Sequence, residues 1–402
     1  MKTKILGAGD IAEAVQIIMS GGLVAVPTET VYGLAGNGLD EAAVRRIYEV
    51  KGRPEVMPLA LMVPNFDSGS KFFAEPSQVA AMLADAFWPG PLTLVSKAAG
   101  GIPDIVRAGQ STIALRCPNH LMTLWLLEEL SVPLAAPSAN PSGKPSPKTA
   151  AEVLEYFDGK IDAVLDGGRC ELGLESTILD VGTRPFAVLR QGALESAEIF
   201  AELERNMRII GITGPTGAGK TTALGVLSEL GGAVLDCDAL YHELLATNRE
   251  LVAEIEARFP GTASEGSVDR KKLGSVVFGD PAALLDLNAI THRYIGSEIG
   301  RRVSEFAASG YPATAIDAIA LIEGGLARRC EAVIGILATG DERIRRIMER
   351  EGIGREYAES RVNAQKGDDY FRQNCDIIIE NDGDISAFRK KCRAVFANYT
   401  GG

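Results

Sequence analysis

Residues 211–222 read GITGPTGAGKTT, and this stretch decides the fold of the half it opens. The pattern G-x-x-x-x-G-K-[ST] is complete in Gly214, Gly219, Lys220 and Thr221. An apolar run, RIIGITG (208–214), precedes it, and a helix-forming run follows from Lys220. Glycines let backbone N–H groups turn inward around phosphate oxygens, and the N-terminus of the new helix adds its dipole. Lys220 is placed to reach the β- and γ-phosphates, and the Thr221 hydroxyl to ligate Mg²⁺. The stretch therefore predicts a nucleotide site made of Gly214, Gly217, Ala218, Gly219, Lys220, Thr221 and Thr222, at the end of a parallel strand. Such a loop opens a domain within a few residues, yet two hundred residues stand before it.

A chain of 402 residues with 46% apolar content can bury two or three cores. No apolar run approaches the roughly 18 residues of a membrane span. The opening MKTKILGAGDIAEAV carries Asp10 and Glu13 where a secretory signal would be apolar, so no signal peptide is expected. Six scattered cysteines without a CxxC pair, and three histidines, fit neither a disulfide framework nor a zinc site, and point to a reducing cytoplasm. Net charge is −12, with 17 Lys and Arg against 25 Asp and Glu in residues 1–206 and 24 against 28 in 207–402. Neither half has the cation excess that gripping a long duplex requires, so no strong direct nucleic-acid binding is expected.

Strand-like runs alternate with amphipathic helical ones along both halves, the pattern of α/β layers. The first half offers LVAVPT (23–28), PLALMV (58–63), LTLVSK (92–97), TIALRCP (112–118), PLAAPS (133–138), STILDV (176–181) and FAVLR (186–190) as strands. DEAAVRRIYEV (40–50) and HLMTLWLLEEL (120–130) read as helices. After the glycine loop come the strand candidates ATAIDAIAL (313–321), EAVIGILA (331–338) and DIIIEN (376–381). Helices are expected at DERIRRIMER (341–350) and DISAFRKKCRAVFANY (384–399). The junction SAEIFAELERNMRIIG (196–211) has no Pro/Gly/Ser linker, and domains 1–206 and 207–402 are expected.

One helix beyond the glycine loop, AVLDCDAL (233–240) ends a second parallel strand with two carboxylates. Either Asp236 or Asp238 could take a proton from an acceptor hydroxyl, or one could cap the next helix. Arg346, Arg350 and Arg361 lie on helical stretches where a lid would close. Arg346 and Arg350 are four apart and share a face, as a phosphate clamp or a solvated basic face would. These residues carry a resemblance. GITGPTGAGKTT, LDCDAL, VDRKKLGSVVF (268–278), LNAITH (287–292), DAIALIE (317–323), RRIMEREG and SRVNAQ follow dephospho-coenzyme A kinase over essentially all of 208–399. The resemblance implies a P-loop kinase with parallel sheet and helical lid, transferring the ATP γ-phosphoryl to the ribose 3′-hydroxyl of dephospho-CoA. It makes Asp238 the base, gives phosphate to Lys220, Thr221 and the lid arginines, and places His292 and Asp317 in the acceptor region. The family's His-Pro is His292-Arg293 here, and its Asp-x-Pro-Leu-Leu is DAIAL (317–321), without the rigid proline.

In the first half, polar residues fall at strand and helix ends: PTETVYG (27–33), KGRP (51–54), STIALR (111–116), APSAN (136–140) and LRQGA (189–193). Singly they read as caps or surface pairs. Together Lys51, Arg53, Arg116 and Arg190 with Thr30, Ser138, Asn140 and Ser176 would form a cationic, hydroxyl-rich pocket in an acidic domain, suited to a triphosphate and a small zwitterion. Their order and spacing resemble the YrdC-type domain, threonylcarbamoyl-AMP synthase, across about residues 5–200, with Lys51/Arg53 and Ser138/Asn140 as paired signatures. The resemblance implies a twisted mixed sheet with helices, and a reaction joining L-threonine, bicarbonate and ATP into threonylcarbamoyl-adenylate for tRNA-modifying machinery. Lys51 and Arg53 become catalytic; Thr30, Arg116, Ser138 and Ser176 contact threonine; Arg53, Thr112, Asn140, Ser146 and Arg190 contact ATP. Many members have histidine where this chain has Met62.

The leading expectation is thus a bifunctional cytoplasmic α/β enzyme using Mg²⁺ with ATP at both sites, without membrane attachment. The competing one makes the first half an RNA-binding module and the second a nucleoside or nucleotide kinase.

Overall fold

The computed structural model describes residues 2–264, 266–318 and 321–401. Two compact units, Met1–Leu203 and Glu204–Gly402, divide the chain.

The first unit is a ten-stranded mixed sheet with helices. Its spatial order is Lys4–Leu6, Ala163–Leu165, Val24–Val26, Gly33–Asn37, Leu134–Ala135, Ala60–Met62, Thr112–Arg116, Leu92–Lys97, Thr177–Asp180 and Ala187–Arg190. All seven expected strands are present, most of them shortened at their ends. Lys4–Leu6, Gly33–Asn37 and Ala163–Leu165 were not foreseen. Gly33–Asn37 escapes notice because its glycines weaken the strand signal. Gly36 lets Leu23 pack closely, since a Cβ there would stand 2.9 Å from Leu23 Cδ2. The helix Glu41–Lys51 is capped by the Asp40 carboxylate on Ala42 N–H and ends at Gly52 with φ 59°, leaving Lys51 at its last turn.

The second unit is a parallel five-stranded sheet ordered Ala233–Asp236, Ala313–Asp317, Arg208–Thr213, Ala332–Leu337, Ile377–Glu380. Parallel strands are covered on both faces and so read as near-continuous apolar runs. Ile210, Ile212, Ala315, Ile334 and Ile336 are all fully buried. The helix Lys220–Glu229 and the terminal helix Ile385–Thr400 share this core through Val226, Leu227, Phe388 and Phe396. ATAIDAIAL ends as a strand at Asp317; Ile319 and Ala320, within the expected stretch and the DAIAL departure, lie outside the described residues. The 28-residue helix Pro281–Ala308, capped by Asp280, was not drawn from the sequence. LNAITH belongs to it, and its buried Ala283, Leu287, Thr291, Ile299 and Val303 recur at three- to five-residue steps or multiples of them.

Candidate functional site

In the second unit the site grows from the carboxyl ends of the central strands. The Asp236↔Asp317 and Ile212↔Asp317 registers put two carboxylates level with the end of the strand that feeds the glycine loop. Gly214 follows that strand with φ 142°, and a Cβ there would stand 2.2 Å from Ile336 O. Gly219 starts the helix at φ 110°, with Asn381 Nδ2 2.3 Å from where its Cβ would lie. Only glycine fits either place. Lys220 Nζ donates to Gly214 O at 2.7 Å, drawing the lysine back over the loop. Burial lowers its pKa, while the charges of Asp317 and Asp238 oppose that shift.

The structure separates the two carboxylates of LDCDAL. Asp236 accepts from Asp238 N–H and Ala239 N–H, each at 2.9 Å, and so caps the helix Cys237–Thr247. Asp238 instead lines a cavity of about 1090 Å³ together with Tyr241, Arg270, Lys271, His292 and Arg329. Burial, then the neighbouring Asp236 charge, raises the Asp238 pKa, with His242 and Lys220 opposing. Asp317 is raised by burial, with Lys220 opposing. His292 thus lines the same cavity as Asp238, and Asp317 interacts electrostatically with the loop lysine.

The lid consists of the helices Gly340–Glu351 and Arg355–Asn363. Arg346 donates to Gly217 O at 3.2 Å and Ala218 O at 3.4 Å, and lines a second cavity of about 400 Å³ with Gly219, Thr222, Asn381 and Phe388. Arg350 and Arg361 both pair with Glu351, so this glutamate engages two of the three expected clamp residues. Thr221 is exposed in the first helical turn. Among the described residues no group of three or more His, Cys, Asp or Glu could hold a metal ion.

In the first unit, Arg116 ends the strand Thr112–Arg116 opposite Met62. Its Nη2 donates to Glu29 Oε1 at 2.6 Å and to Thr30 Oγ1 at 2.8 Å, and its Nε to Gly90 O at 3.2 Å. Both members of this ion pair are buried, and Asn119 N–H meets the other Glu29 oxygen at 2.9 Å. Ser176 pairs its hydroxyl with Thr93 at 2.8 Å and accepts from Arg190 at 3.1 Å. Arg190 also bonds Ser176 O at 2.8 Å and pairs with Glu175, whose other oxygen accepts from Ser146 at 3.0 Å. Thr30 and Arg116 therefore meet; Arg190 meets Ser176 directly and Ser146 through Glu175. Thr112 lies on the Arg116 strand, paired with Lys97.

Lys51 is buried, and its ammonium donates to Ser138 O and, at 2.5 Å, to Asn140 O. Burial, then the Arg53 charge, pushes its pKa down to about 7. Arg53 itself binds Met57 O at 3.3 Å and Pro58 O at 3.0 Å. The two signature pairs are thus physically joined. Asn140 spends its Nδ2 on Pro141 O and Lys144 O, whereas its Oδ1 is buried without a hydrogen-bond partner.

Four residues escaped the sequence reading: Glu29, Glu175, Arg343 and Asn381. Glu29 stood inside PTETVYG, and a carboxylate in a buried strand-end segment must find a cation. Asn381, just past the strand Ile377–Glu380, donates to Ala218 O at 2.8 Å.

A family model for dephospho-CoA kinase matches residues 208–387. The dephospho-CoA kinase of Symbiobacterium thermophilum is 35% identical over 198 residues, 49% of this chain and 83% of that one. The chain belongs to the dephospho-CoA kinase family. A second family model, Sua5/YciO/YrdC, described as telomere recombination, matches residues 16–192. The threonylcarbamoyl-AMP synthase of Pyrococcus abyssi is 48% identical over 186 residues, 46% of this chain and 55% of that relative. The chain spans about half the length of that relative. Sua5 of P. abyssi complexed with L-threonine aligns at a TM-score of 0.49 and 27% identity, covering 86% of this chain and 97% of the other. The chain therefore fuses a YrdC-type domain to a dephospho-CoA kinase domain. Among the described residues no helix is long and apolar enough to cross a membrane.

Proposed function

We propose that the chain is bifunctional, with the boundary at 206/207, between the helix Ser196–Arg205 and the strand Arg208–Thr213. The second domain phosphorylates the 3′-hydroxyl of dephospho-CoA. The observation that carries this is the placing of Asp238 on the large cavity, within the electrostatic reach of Lys220. The cavity takes the acceptor; Arg270, Lys271 and Arg329 on its wall suit the acceptor's phosphates. Asp238 accepts the hydroxyl proton as the oxygen attacks the γ-phosphorus, and a carboxylate of raised pKa is a better base for that step. Loop N–H groups and Lys220 stabilise the charge passing to ADP. Thr221 would hold Mg²⁺ with phosphate oxygens, and the bound ion would neutralise charge between the β- and γ-phosphates.

The first domain forms threonylcarbamoyl-adenylate and pyrophosphate from L-threonine, bicarbonate and ATP, the nucleotide bringing its own Mg²⁺. Arg116, oriented by Glu29 and bonded to Thr30, faces the amino acid carboxylate, and Ser138 and Ser176 complete the contacts to threonine. The threonine amine, after losing a proton, attacks bicarbonate and expels hydroxide, which leaves as water; the new carboxylate then attacks the α-phosphorus and pyrophosphate departs. Arg53 and Arg190 stabilise the departing pyrophosphate, while Lys51 carries its charge into the 138–140 turn that presents Asn140 Oδ1 to a ligand donor. An RNA-binding reading fits less well, because Arg116 and Arg190 face Glu29 and Glu175 rather than forming an open basic surface. The adenylate would pass to a tRNA-modifying transferase.

The test incubates the whole chain with ATP, labelled bicarbonate and threonine, and separately with ATP and dephospho-CoA. Labelled threonylcarbamoyl-adenylate in the first and CoA in the second are expected. Absence of either product removes that half of the proposal.

A further inference from the structure

The lid helix Gly340–Glu351 carries one arginine unlike its neighbours. Arg343 is buried at 5% exposure, whereas Arg345 and Arg350 extend into solvent. Its Nε donates to Thr216 O at 3.0 Å and its Nη2 to Gln365 Oε1 at 2.8 Å. Gln365, just beyond the second lid helix, closes the circuit. Its Oε1 accepts from Thr216 N–H at 2.9 Å, and its Nε2 donates to Thr216 Oγ1 at 2.7 Å. The N–H, the carbonyl and the hydroxyl of Thr216 are therefore all held by two residues of the lid.

The next loop residue shows how close the lid backbone comes. Gly217 has φ 82°, and a Cβ there would stand 2.9 Å from Arg343 O and 3.1 Å from Arg343 Cα. A loop that turns its N–H groups inward to phosphate turns its carbonyls outward, and partly buried carbonyls need donors. Here the donors for residues 216–218 come from Arg343, Arg346 and Asn381. Of these, Arg343 is tied to a second lid residue that grips the same loop position from the other side.

We infer that Arg343 and Gln365 are positioning residues for phosphoryl transfer, latching Thr216 so that the phosphate loop keeps its nucleotide-accepting curvature while the lid is seated. The inference rests on the kinase reading above. Loop shape and lid position then form one coupled element, and nucleotide affinity depends on a lid contact that touches no substrate.

The test compares the full chain with Gln365→Leu, Thr216→Val, the double variant, Gln365→Glu and Arg343→Lys. ATP dissociation constants, separate KM values for ATP and dephospho-CoA, and Tm are measured. Gln365→Leu should weaken ATP about tenfold, the scale of two or three lost hydrogen bonds, and Thr216→Val about threefold, the scale of the one hydroxyl bond it removes. The double variant should bind no more weakly than the worse single, because the residues act as a unit. Gln365→Glu still accepts from Thr216 N–H and can accept from its hydroxyl, so it should recover most of the affinity. Arg343→Lys keeps the charge but cannot span both partners, and should fall between. KM for dephospho-CoA should stay within about twofold, since the latch lies on the nucleotide side. Wild-type ATP affinity in Gln365→Leu, multiplicative losses in the double variant, or a lowered Tm with both KM values shifting together would each overturn the inference. Should the wild-type chain bind ATP yet leave dephospho-CoA unmodified, the acceptor reading fails, while the ATP affinities still decide the latch.

Discussion

In the second domain one loop, residues 214–222, gathers nearly the whole phosphate site, whereas in the first the cations come from three separate segments. Lys51 ends a helix, Arg53 follows it, Arg116 ends one strand and Arg190 another. The loop works through backbone N–H groups fixed by glycines at φ 142° and 110°, so its geometry is local. The dispersed site works through side chains, three of them anchored by partners outside their own segment: Glu29 for Arg116, Glu175 for Arg190, the 138–140 carbonyls for Lys51. One architecture concentrates its vulnerability in the base and the loop. The other spreads it over buried pairs.

The sharpest way to break that contrast is Asp238→Asn. ATP binding should persist, while dephospho-CoA phosphorylation drops by roughly 10²–10⁴, the scale of general-base catalysis. Asp236→Asn should be mild, since asparagine caps a helix as well as aspartate does. The reverse ranking in a steady-state assay would show the roles to be swapped.

Next in size is the double change Lys51→Ala with Arg53→Ala. Pyrophosphate release without any tRNA should fall by about 10²–10³, as for loss of preorganised charge stabilisation. Undiminished release would exclude these residues from the chemistry.

Glu29→Gln sharpens the comparison on stability instead. It leaves the buried Arg116 charge uncompensated, which costs about 3 kcal/mol in the first domain's urea transition. A loss near zero would mean that the pair is not buried as described.

The most gradual effect, smallest per pH unit, is a pH dependence. The folded pKa of Lys51 lies near 7, below the ordinary lysine value, so the unfolded chain binds the extra proton between the two. Stability therefore rises with pH across that window, and the penalty is complete below pH 7. Relative to Lys51→Met, the wild-type first domain should gain up to about 1.4 kcal/mol per pH unit from pH 7 towards 10. A flat difference between the two would deny the lowered value.

What the sequence made legible follows the same divide. The phosphate loop, the parallel strands and the helix Ile385–Thr400 were readable because their signals are contiguous or periodic. The strand Gly33–Asn37 was not, because glycine trades strand propensity for close packing against Leu23. Asp236 and Asp238 could not be told apart until the helix boundary fixed which one caps. Arg343 was hidden among four arginines on one lid helix; only burial distinguishes it. Glu29 and Arg116 are 87 residues apart, and nothing local announces their contact. A long-range ion pair is a property of topology, not of spacing.

The central claim is that each half holds a complete ATP-using site. It is tested most directly by expressing residues 1–206 and 207–402 separately and assaying threonylcarbamoyl-adenylate and CoA formation beside the full chain. Each fragment is expected to fold and keep its own activity within about tenfold, a coupling below roughly 1.4 kcal/mol. A fragment that folds but stays inactive until the other half is added would contradict the account, because one site would then be borrowing from its neighbour.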